Sequence, residues 1–235
     1  MKSTLIIVGH PAGVNSTTQQ FLYQTSQAYT SADVLILADE ISDMTHPIDG
    51  DRYRDQLAQY DRLIFQFPMY WYQAPSLLKF WMDEVFQDWQ SNPGWAQKMQ
   101  GKEFGVVITA DVAATRFHPG EDVGVTMDQL LSPYQALATY YRMEYLAPFA
   151  IHRFSMMDEP TQMRLMLTYA CYLSTGKQGS LRVFQQFILE QLAHPTISSL
   201  PLDSTQALTF QMWQEDISHQ ADELEELFTM NGWWY

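Results

Sequence analysis

Short apolar runs alternate with stretches of helical periodicity over the first 152 residues of the chain. Four runs have the length of buried strands: 5–8, 34–37, 63–67 and 105–109. A fifth and weaker run, 145–151, contains Pro148, which is typical of an edge strand. Between the runs, apolar residues recur at helical spacing. This alternation predicts an α/β fold in which a five-stranded parallel sheet carries helices on both faces.

The residues beyond His152 predict helices only. Apolar stripes at helical spacing cover three stretches: 163–173, 181–192 and 213–228. The last stripe predicts a closing helix that covers the sheet. The first two predict an inserted helical hairpin, which serves either for packing or dimer contact or as a lid. The predicted organisation is therefore a core of residues 1–157, an insertion of residues 158–203 and a closing helix of residues 204–235.

Composition and charge narrow the classes of function. A chain of 235 residues that is 46% hydrophobic can bury a full core. Its net charge of −14 repels phosphate backbones and anionic lipid, so binding to nucleic acid or to a membrane surface is not expected. Cys171 is the single cysteine, which excludes an internal disulfide.

Targeting and metal signals are weak. Residues 5–8 form too short a run for a signal peptide or a membrane span, so a cytoplasmic protein with no integral membrane segment is expected. The histidines do not fall at metal-ligand spacings, and no metal site is predicted.

Candidate chemistry lies where the predicted strands end, because ligands of open parallel sheets bind at the carboxyl ends of the strands. After the first strand, Ser16, Thr17 and Thr18 open a helix, and Ser16 with Gln19 has the form of a capping box. Such a helix start can bind an anion, although capping alone also explains these residues. Neither a G-x-G-x-x-G run nor a terminal G-K-[ST] is present, so dinucleotide-fold and P-loop sites are not predicted.

An aromatic turn follows the third strand. Pro68 ends the strand, and Tyr70, Trp71 and Tyr72 come directly after it. These rings are either part of the core or a platform for a flat ligand. Together with the helix start at Thr17, they indicate a site that takes a phosphate at one end and a planar ring at the other.

The segment 66–86 resembles a characteristic pattern of the flavodoxin-like NAD(P)H:quinone oxidoreductases. Its sequence, QFPMYWYQAPSLLKFWMDEVF, follows P-x-x-W-[YF]-x-x-P-x-x-[LM]-K-x-[WF]-x-[DE]-x-[VL]-F. The loop with His10, Pro11 and Ser16 resembles the family's phosphate loop, and residues 126–131 through 146–149 resemble a later helix and strand. The resemblance covers about the first 152 residues. It implies a flavodoxin-like fold, a homodimer, FMN or FAD as cofactor, and NAD(P)H as the electron donor for two-electron, ping-pong reduction of a quinone-like acceptor.

The resemblance also implies the site residues. The flavin phosphate would be lined by His10, Ser16, Thr17, Thr18 and Gln19. The flavin ring would lie between Pro68, Met69, Tyr70 and Trp71 on one side and Thr109, Ala110 and Asp111 on the other. Tyr70 and Trp71 are candidate catalytic residues. The family includes ancillary proteins of glutathione-gated potassium efflux, so a membrane transporter or another protein is a candidate partner.

Two departures from the family pattern weaken one wall of the expected site. The family has Thr-Thr-Gly-Gly or Thr-Thr-Gly-Ala where this chain has Thr109-Ala110-Asp111-Val112, so a carboxylate would lie near a ring edge that becomes anionic on reduction. Phe117 stands where the family has a tyrosine; the adjacent His118 either replaces the missing hydroxyl as a catalytic group or is a surface-loop histidine. The alternative function is therefore a regulatory or interaction protein that keeps the fold with weakened or lost flavin binding.

Overall fold

A computed structural model describes residues 2–86, 93–193 and 204–231. Its strands are β1 (Thr4–Val8), β2 (Asp33–Ile36), β3 (Arg62–Pro68), β4 (Glu103–Ala110), β5 (Glu144–Tyr145) and β6 (Phe149–His152). Its helices are α1 (Thr17–Tyr29), α2 (Leu37–Glu40), α3 (Gly50–Ala58), α4 (Ser76–Val85), α5 (Pro93–Met99), α6 (Met127–Tyr140), α7 (Glu159–Thr175), α8 (Leu181–Leu192) and α9 (Ser204–Asn231). Strands and helices alternate up to β6, which confirms the predicted α/β class.

The strands form one parallel sheet in the order β2-β1-β3-β4-β5, and β6 also pairs with β4. The strand order reverses between β1 and β3, the place where open α/β sheets bind ligands. Pro148 lies between β5 and β6 and splits the predicted fifth strand in two, because proline has no N–H to donate to the ladder. Both halves lie at the edge beside β4, as expected.

Both faces of the sheet are buried. Successive residues of β3 point to opposite faces: Leu63 and Phe65 pack in one apolar cluster, and Ile64 packs in the other. The first cluster also contains Trp81 of α4, and the second contains Leu22 of α1. This double coverage explains why the run 63–67 lacks a polar alternation.

Helix α7 covers the sheet on the face that also carries α1. Leu165, Tyr169 and Tyr172 belong to the same buried cluster as Ile64, and α7 packs against α1. The sequence predicts α7 as part of an added hairpin and residues 204–235 as the closing helix. The predicted stripe of Met163, Met166, Leu167, Ala170 and Leu173 includes two buried residues of α7, Ala170 and Leu173, but it omits Tyr169 and Tyr172, which form much of the buried face.

The chain divides by its contacts into two compact units, Met1–Gly176 and Lys177–Tyr235. The first ends where Gly176 adopts a left-handed conformation (φ 72°) and terminates α7. In the second, α8 and α9 pack together, and Gln214 Nε2 donates to the Leu192 carbonyl at 3.3 Å. Residues 194–203 and 232–235, which complete the predicted insertion and closing helix, lie outside the described residues. Within the described ranges, none of the helices combines the length and the hydrophobicity needed to cross a bilayer.

A buried ion pair joins the amino-terminal ends of β3 and β4. Arg62, at 2% exposure, donates to Glu103 Oε2 at 2.5 Å and also donates to the Leu173 carbonyl at the end of α7. Lys2 donates to the other carboxylate oxygen of Glu103 at 2.5 Å. Burial alone would raise the pKa of Glu103, but the bonds from Lys2 and Arg62 outweigh it and lower that pKa. The pair therefore ties the sheet to α7.

Candidate functional site

A cavity of about 470 Å³ opens at the carboxyl ends of β3, β4 and β6, within the size range of small-molecule sites. Eleven residues line it: Thr17, Thr18, Pro68, Met69, Tyr70, Thr109, Ala110, Asp111, Ile151, Phe154 and Ser155. Its floor is set by strand register, because Pro68 pairs with Thr109 and Thr109 pairs with Ile151. Eight of the twelve residues predicted to bind the cofactor lie in this lining.

The polar end of the cavity is the first turn of α1, with Thr17 and Thr18. Ser16 caps this helix by accepting the Gln19 N–H at 3.3 Å. The first amides of a helix have no partner inside the helix, and the helix dipole makes this end positive. The turn can therefore bind an anion such as a phosphate.

Close packing holds the loop before α1 against α4. A Cβ atom on Gly9 would stand 2.7 Å from Leu78 Cβ, so only glycine fits at this position. Gly13 has a φ of 54°, in the left-handed region that favours glycine. These two glycines shape the loop between β1 and α1.

His10 lies half-buried in the same loop and is outside the cavity lining. Its Nδ1 accepts the Ala12 N–H at 3.0 Å, so the neutral ring carries its proton on Nε2. Burial lowers the pKa of His10, which favours this neutral form. The ring lies 6.4 Å from that of Tyr70 in an edge-on arrangement, between the loop and the aromatic turn.

The aromatic turn at the other end of the cavity is held by backbone hydrogen bonds. Met69 N–H donates to the Thr109 carbonyl at 2.8 Å, and Tyr70 and Gln73 exchange two backbone bonds that close the turn. Trp71 and Tyr72 have φ values of 48° and 66°, which are strained for side chains of this size. Their exposures of 91% and 43%, with 47% for Tyr70, exclude the alternative that these rings are core. Trp71 is outside the lining.

Three lining residues were missed in the sequence analysis: Ile151, Phe154 and Ser155. Ile151 lies in β6, and Phe154 and Ser155 follow its end, where the left-handed Arg153 (φ 50°) turns the chain and donates its N–H to the Ala110 carbonyl at 2.9 Å. The rule that ligands bind at the carboxyl ends of parallel strands also applies to the loop after β6, because β6 ends at the same edge of the sheet as β3 and β4. Ser155 Oγ donates to Asp111 Oδ1 at 3.3 Å, so this segment joins the wall formed by Ala110 and Asp111.

Other predicted residues lie away from the cavity. Ser16 acts as a cap, and the buried Gln19 side chain accepts a hydrogen bond from Gln66, so the capping box is only half formed. Phe117 is buried, with its ring 5.6 Å from that of His152, and His118 is exposed in the loop. The departure at Phe117 therefore leaves the cavity wall unchanged. In the described part of the chain, no cluster of three or more His, Cys, Asp or Glu residues could hold a metal ion.

The chain is similar in sequence to a known protein family and to individual relatives. A family described as having a flavodoxin-like fold matches residues 2–170, a range that includes every residue of the cavity lining. An uncharacterised NAD(P)H oxidoreductase, YdeQ of Bacillus subtilis, is 32% identical over 157 residues, which are 66% of this chain and 78% of the relative.

Two solved structures are similar over most of their length. An NADPH-quinone reductase from P. pentosaceus has 31% identity and a TM-score of 0.64, covering 74% of this chain and 98% of that one. General stress protein 14 from Treponema denticola, solved in complex with FMN, has 26% identity and a TM-score of 0.64, covering 74% and 99%. The family match over residues 2–170 covers the sheet and the cavity.

Proposed function

Because this chain belongs to the flavodoxin-like family of NAD(P)H:quinone oxidoreductases, we propose that it is a flavin-dependent enzyme that uses NAD(P)H to reduce quinone-like acceptors. The observation that carries this proposal is the cavity, which has an anion-binding helix start at one end and an exposed aromatic turn at the other. That combination suits a ligand with a phosphate and a flat ring.

The lining residues fit a flavin. Thr17 and Thr18 would hold its phosphate with their hydroxyls and free amides, and Pro68, Met69 and Tyr70 would support its ring. FMN is the flavin found in the similar structure from Treponema denticola. FAD stays within the proposal, since both flavins share the phosphate and ring that this cavity suits.

The bound flavin would supply the redox chemistry, taking a hydride from NAD(P)H and delivering two electrons to a quinone. The chain would bind and orient the reactants. Tyr70 flanks the ring position, and the exposed Trp71 gives donor and acceptor an aromatic surface at the mouth of the cavity. One open cavity serves both substrates in turn, which is the basis for proposing a ping-pong order. His118 has no part in this proposal, because it is outside the lining and, unlike Trp71, is not next to a lining residue in the chain.

The direct test is flavin uptake followed by turnover. Protein supplied with FMN or FAD is expected to become yellow and to oxidise NAD(P)H on the order of once per second or faster when a quinone is added. Initial rates at several concentrations of both substrates should give the parallel double-reciprocal lines of a ping-pong enzyme. A chain that takes up neither flavin would contradict the proposal and favour the interaction-protein alternative.

Asp111→Asn tests the unusual carboxylate in the wall. Removing this negative charge beside the ring position is expected to raise the two-electron midpoint potential of the bound flavin by about 20 mV, because reduction adds negative charge to the ring. The measurement is an equilibrium redox titration. Glu121→Gln removes an exposed carboxylate that is outside the lining, and it should leave the potential unchanged. Equal potentials for the Asp111 variant and the parent protein would show that the carboxylate does not act on the ring.

A homodimer and a cytoplasmic location belong to the same proposal, as does a membrane transporter or another protein as partner. The 91% exposure of Trp71 supports a dimer, since a large aromatic surface beside the cavity favours coverage by a second chain. Sedimentation velocity of the flavin-loaded protein would measure its oligomeric state.

A further inference from the structure

Three buried polar side chains form a hydrogen-bonded triad, Gln19–Gln66–Tyr169, between the sheet and the two helices that cover one of its faces. Tyr169 OH donates to Gln66 Oε1 at 2.6 Å, and Gln66 Nε2 donates to Gln19 Oε1 at 2.7 Å. Gln19 and Tyr169 are fully buried, and Gln66 is 2% exposed. Each residue comes from a different element, namely α1, β3 and α7. The triad therefore links the sheet to both helices on this face.

The triad residues belong to or lie next to the elements that form the walls of the cavity. Gln19 follows Thr18, which lines the polar end, and Gln66 lies two residues before Pro68 on the same face of β3. Tyr169 belongs to α7, the helix that follows the lining segment with Phe154 and Ser155. The two elements that carry the ends of the cavity, α1 and β3, are thus joined by the hydrogen bond from Gln66 to Gln19.

The triad is a costly way to fill this space. Burying amides and a hydroxyl costs free energy unless all their polar atoms are bonded, and Gln19 Nε2 has no hydrogen-bond partner among the described residues. Apolar side chains of similar shape would fill the layer at no such cost, because replacing both partners of a buried bond is often neutral. Compared with apolar packing, the triad fixes the relative positions of α1, β3 and α7 more narrowly, because hydrogen bonds depend on direction and apolar contacts do not.

We propose that Gln19, Gln66 and Tyr169 are positioning residues that set the distance between the anion-binding first turn of α1 and the ring-binding end of β3. This proposal rests on the proposed function, because the ligand whose phosphate and ring must both fit is a flavin mononucleotide. Loosening the triad lowers the fraction of molecules with the correct spacing, and the apparent affinity falls by the same factor. Riboflavin lacks the phosphate and therefore does not depend on this spacing.

Tyr169→Phe tests the proposal, with Tyr172→Phe as a matched control. Both tyrosines are buried in α7 and face the same apolar layer, but the hydroxyl of Tyr172 is not part of the triad. Tyr169→Phe is expected to raise the Kd for FMN about fivefold, the fold-change for one lost hydrogen bond, with less than about a twofold change for riboflavin. Flavin fluorescence titration measures both constants. In the Tyr172→Phe variant the ratio of the two constants should stay at the parent value.

A double variant completes the binding test. Tyr169→Phe combined with Gln19→Met should weaken FMN binding by less than the product of the single effects, because both changes break the same unit. Gln19→Met alone serves if the Tyr169 variant fails to fold. Equal FMN-to-riboflavin ratios in the Tyr169 and Tyr172 variants would overturn the proposal and leave the triad a role in stability only.

The experiment distinguishes failure of the proposed function from failure of the proposed positioning role of the triad. If the parent protein binds no flavin, the proposed function fails, and amide hydrogen exchange of the free chain decides the positioning role. The Gln20 N–H, which donates to the Ser16 carbonyl at 2.8 Å, reports on the first turn of α1. Its exchange should be several-fold faster in Tyr169→Phe than in Tyr172→Phe. Equal exchange rates would overturn the proposal.

Discussion

Glutamine in place of Glu103 is expected to lower the free energy of unfolding by about 3–5 kcal/mol, the effect typical of breaking a buried ion pair. The change removes the charge that balances Arg62, whose side chain is only 2% exposed. Arg62 also donates to the Leu173 carbonyl, so the loss should loosen α7 on the sheet. Urea unfolding followed by circular dichroism measures the change.

Glu144→Gln is the matched control for this prediction. Glu144 pairs with Glu103 across β4 and β5, but its side chain is exposed, so its loss should change the free energy of unfolding by less than about 0.5 kcal/mol. Equal losses in the two variants would contradict the assigned role of the ion pair.

Acid should remove the difference between the parent protein and Glu103→Gln. The pKa of Glu103 is lowered in the folded state from its ordinary value of 4.5, so the folded chain binds this proton less readily than the unfolded chain. The stabilisation is then complete above pH 4.5 and is lost as the pH falls through the lower, folded pKa. Unfolding curves of both proteins between neutral pH and pH 3 should therefore converge only at the acid end.

Glutamate in place of Thr18 is expected to weaken FMN binding by about 100-fold or more, because a carboxylate would face the phosphate in the first turn of α1. Carboxylates are favourable in the first turn of a helix, so the fold should be retained. Riboflavin, which has no phosphate, should bind the variant as it binds the parent. Fluorescence titration with the two flavins makes this comparison.

Gln20→Glu separates a local effect from a general change of charge. Gln20 lies two residues further along α1, is exposed, and is not in the cavity lining. The same added charge at this position should change the Kd for FMN by no more than about threefold, since exposed charges are screened by water and salt. If both variants lose affinity equally, the phosphate does not bind at Thr18.

The order of elements and the edge that carries the cavity followed from local pattern. Apolar runs located the first four strands within one or two residues, because a buried strand needs apolar side chains on both faces. Parallel strands bring their carboxyl ends to one edge, which was sufficient to predict Thr17, Pro68 and Thr109 as neighbours although they are far apart in sequence. The family pattern in residues 66–86 indicated the ligand class.

Other features were decided only by tertiary contacts. The polar partner of Gln66 on α7 is 103 residues away and that on α1 is 47 residues away, so no local period could reveal the triad. The sequence left open whether the aromatic turn belongs to the core or to the surface. In the structure, Leu78 and Trp81 of α4 pack in the core, and Trp71 lies outside it.

The helix that covers the sheet shows most clearly what the sequence determines and what the tertiary structure decides. The sequence by itself determined that a helix after residue 152 had an apolar face to bury, because its apolar residues recur at helical spacing. Only the tertiary structure decided that α7 takes this place, through Tyr169, Tyr172 and the bond from Arg62 to Leu173. The physical reason is that an apolar stripe records that a face is buried but not which surface buries it, and that choice depends on shape and hydrogen bonds between distant residues.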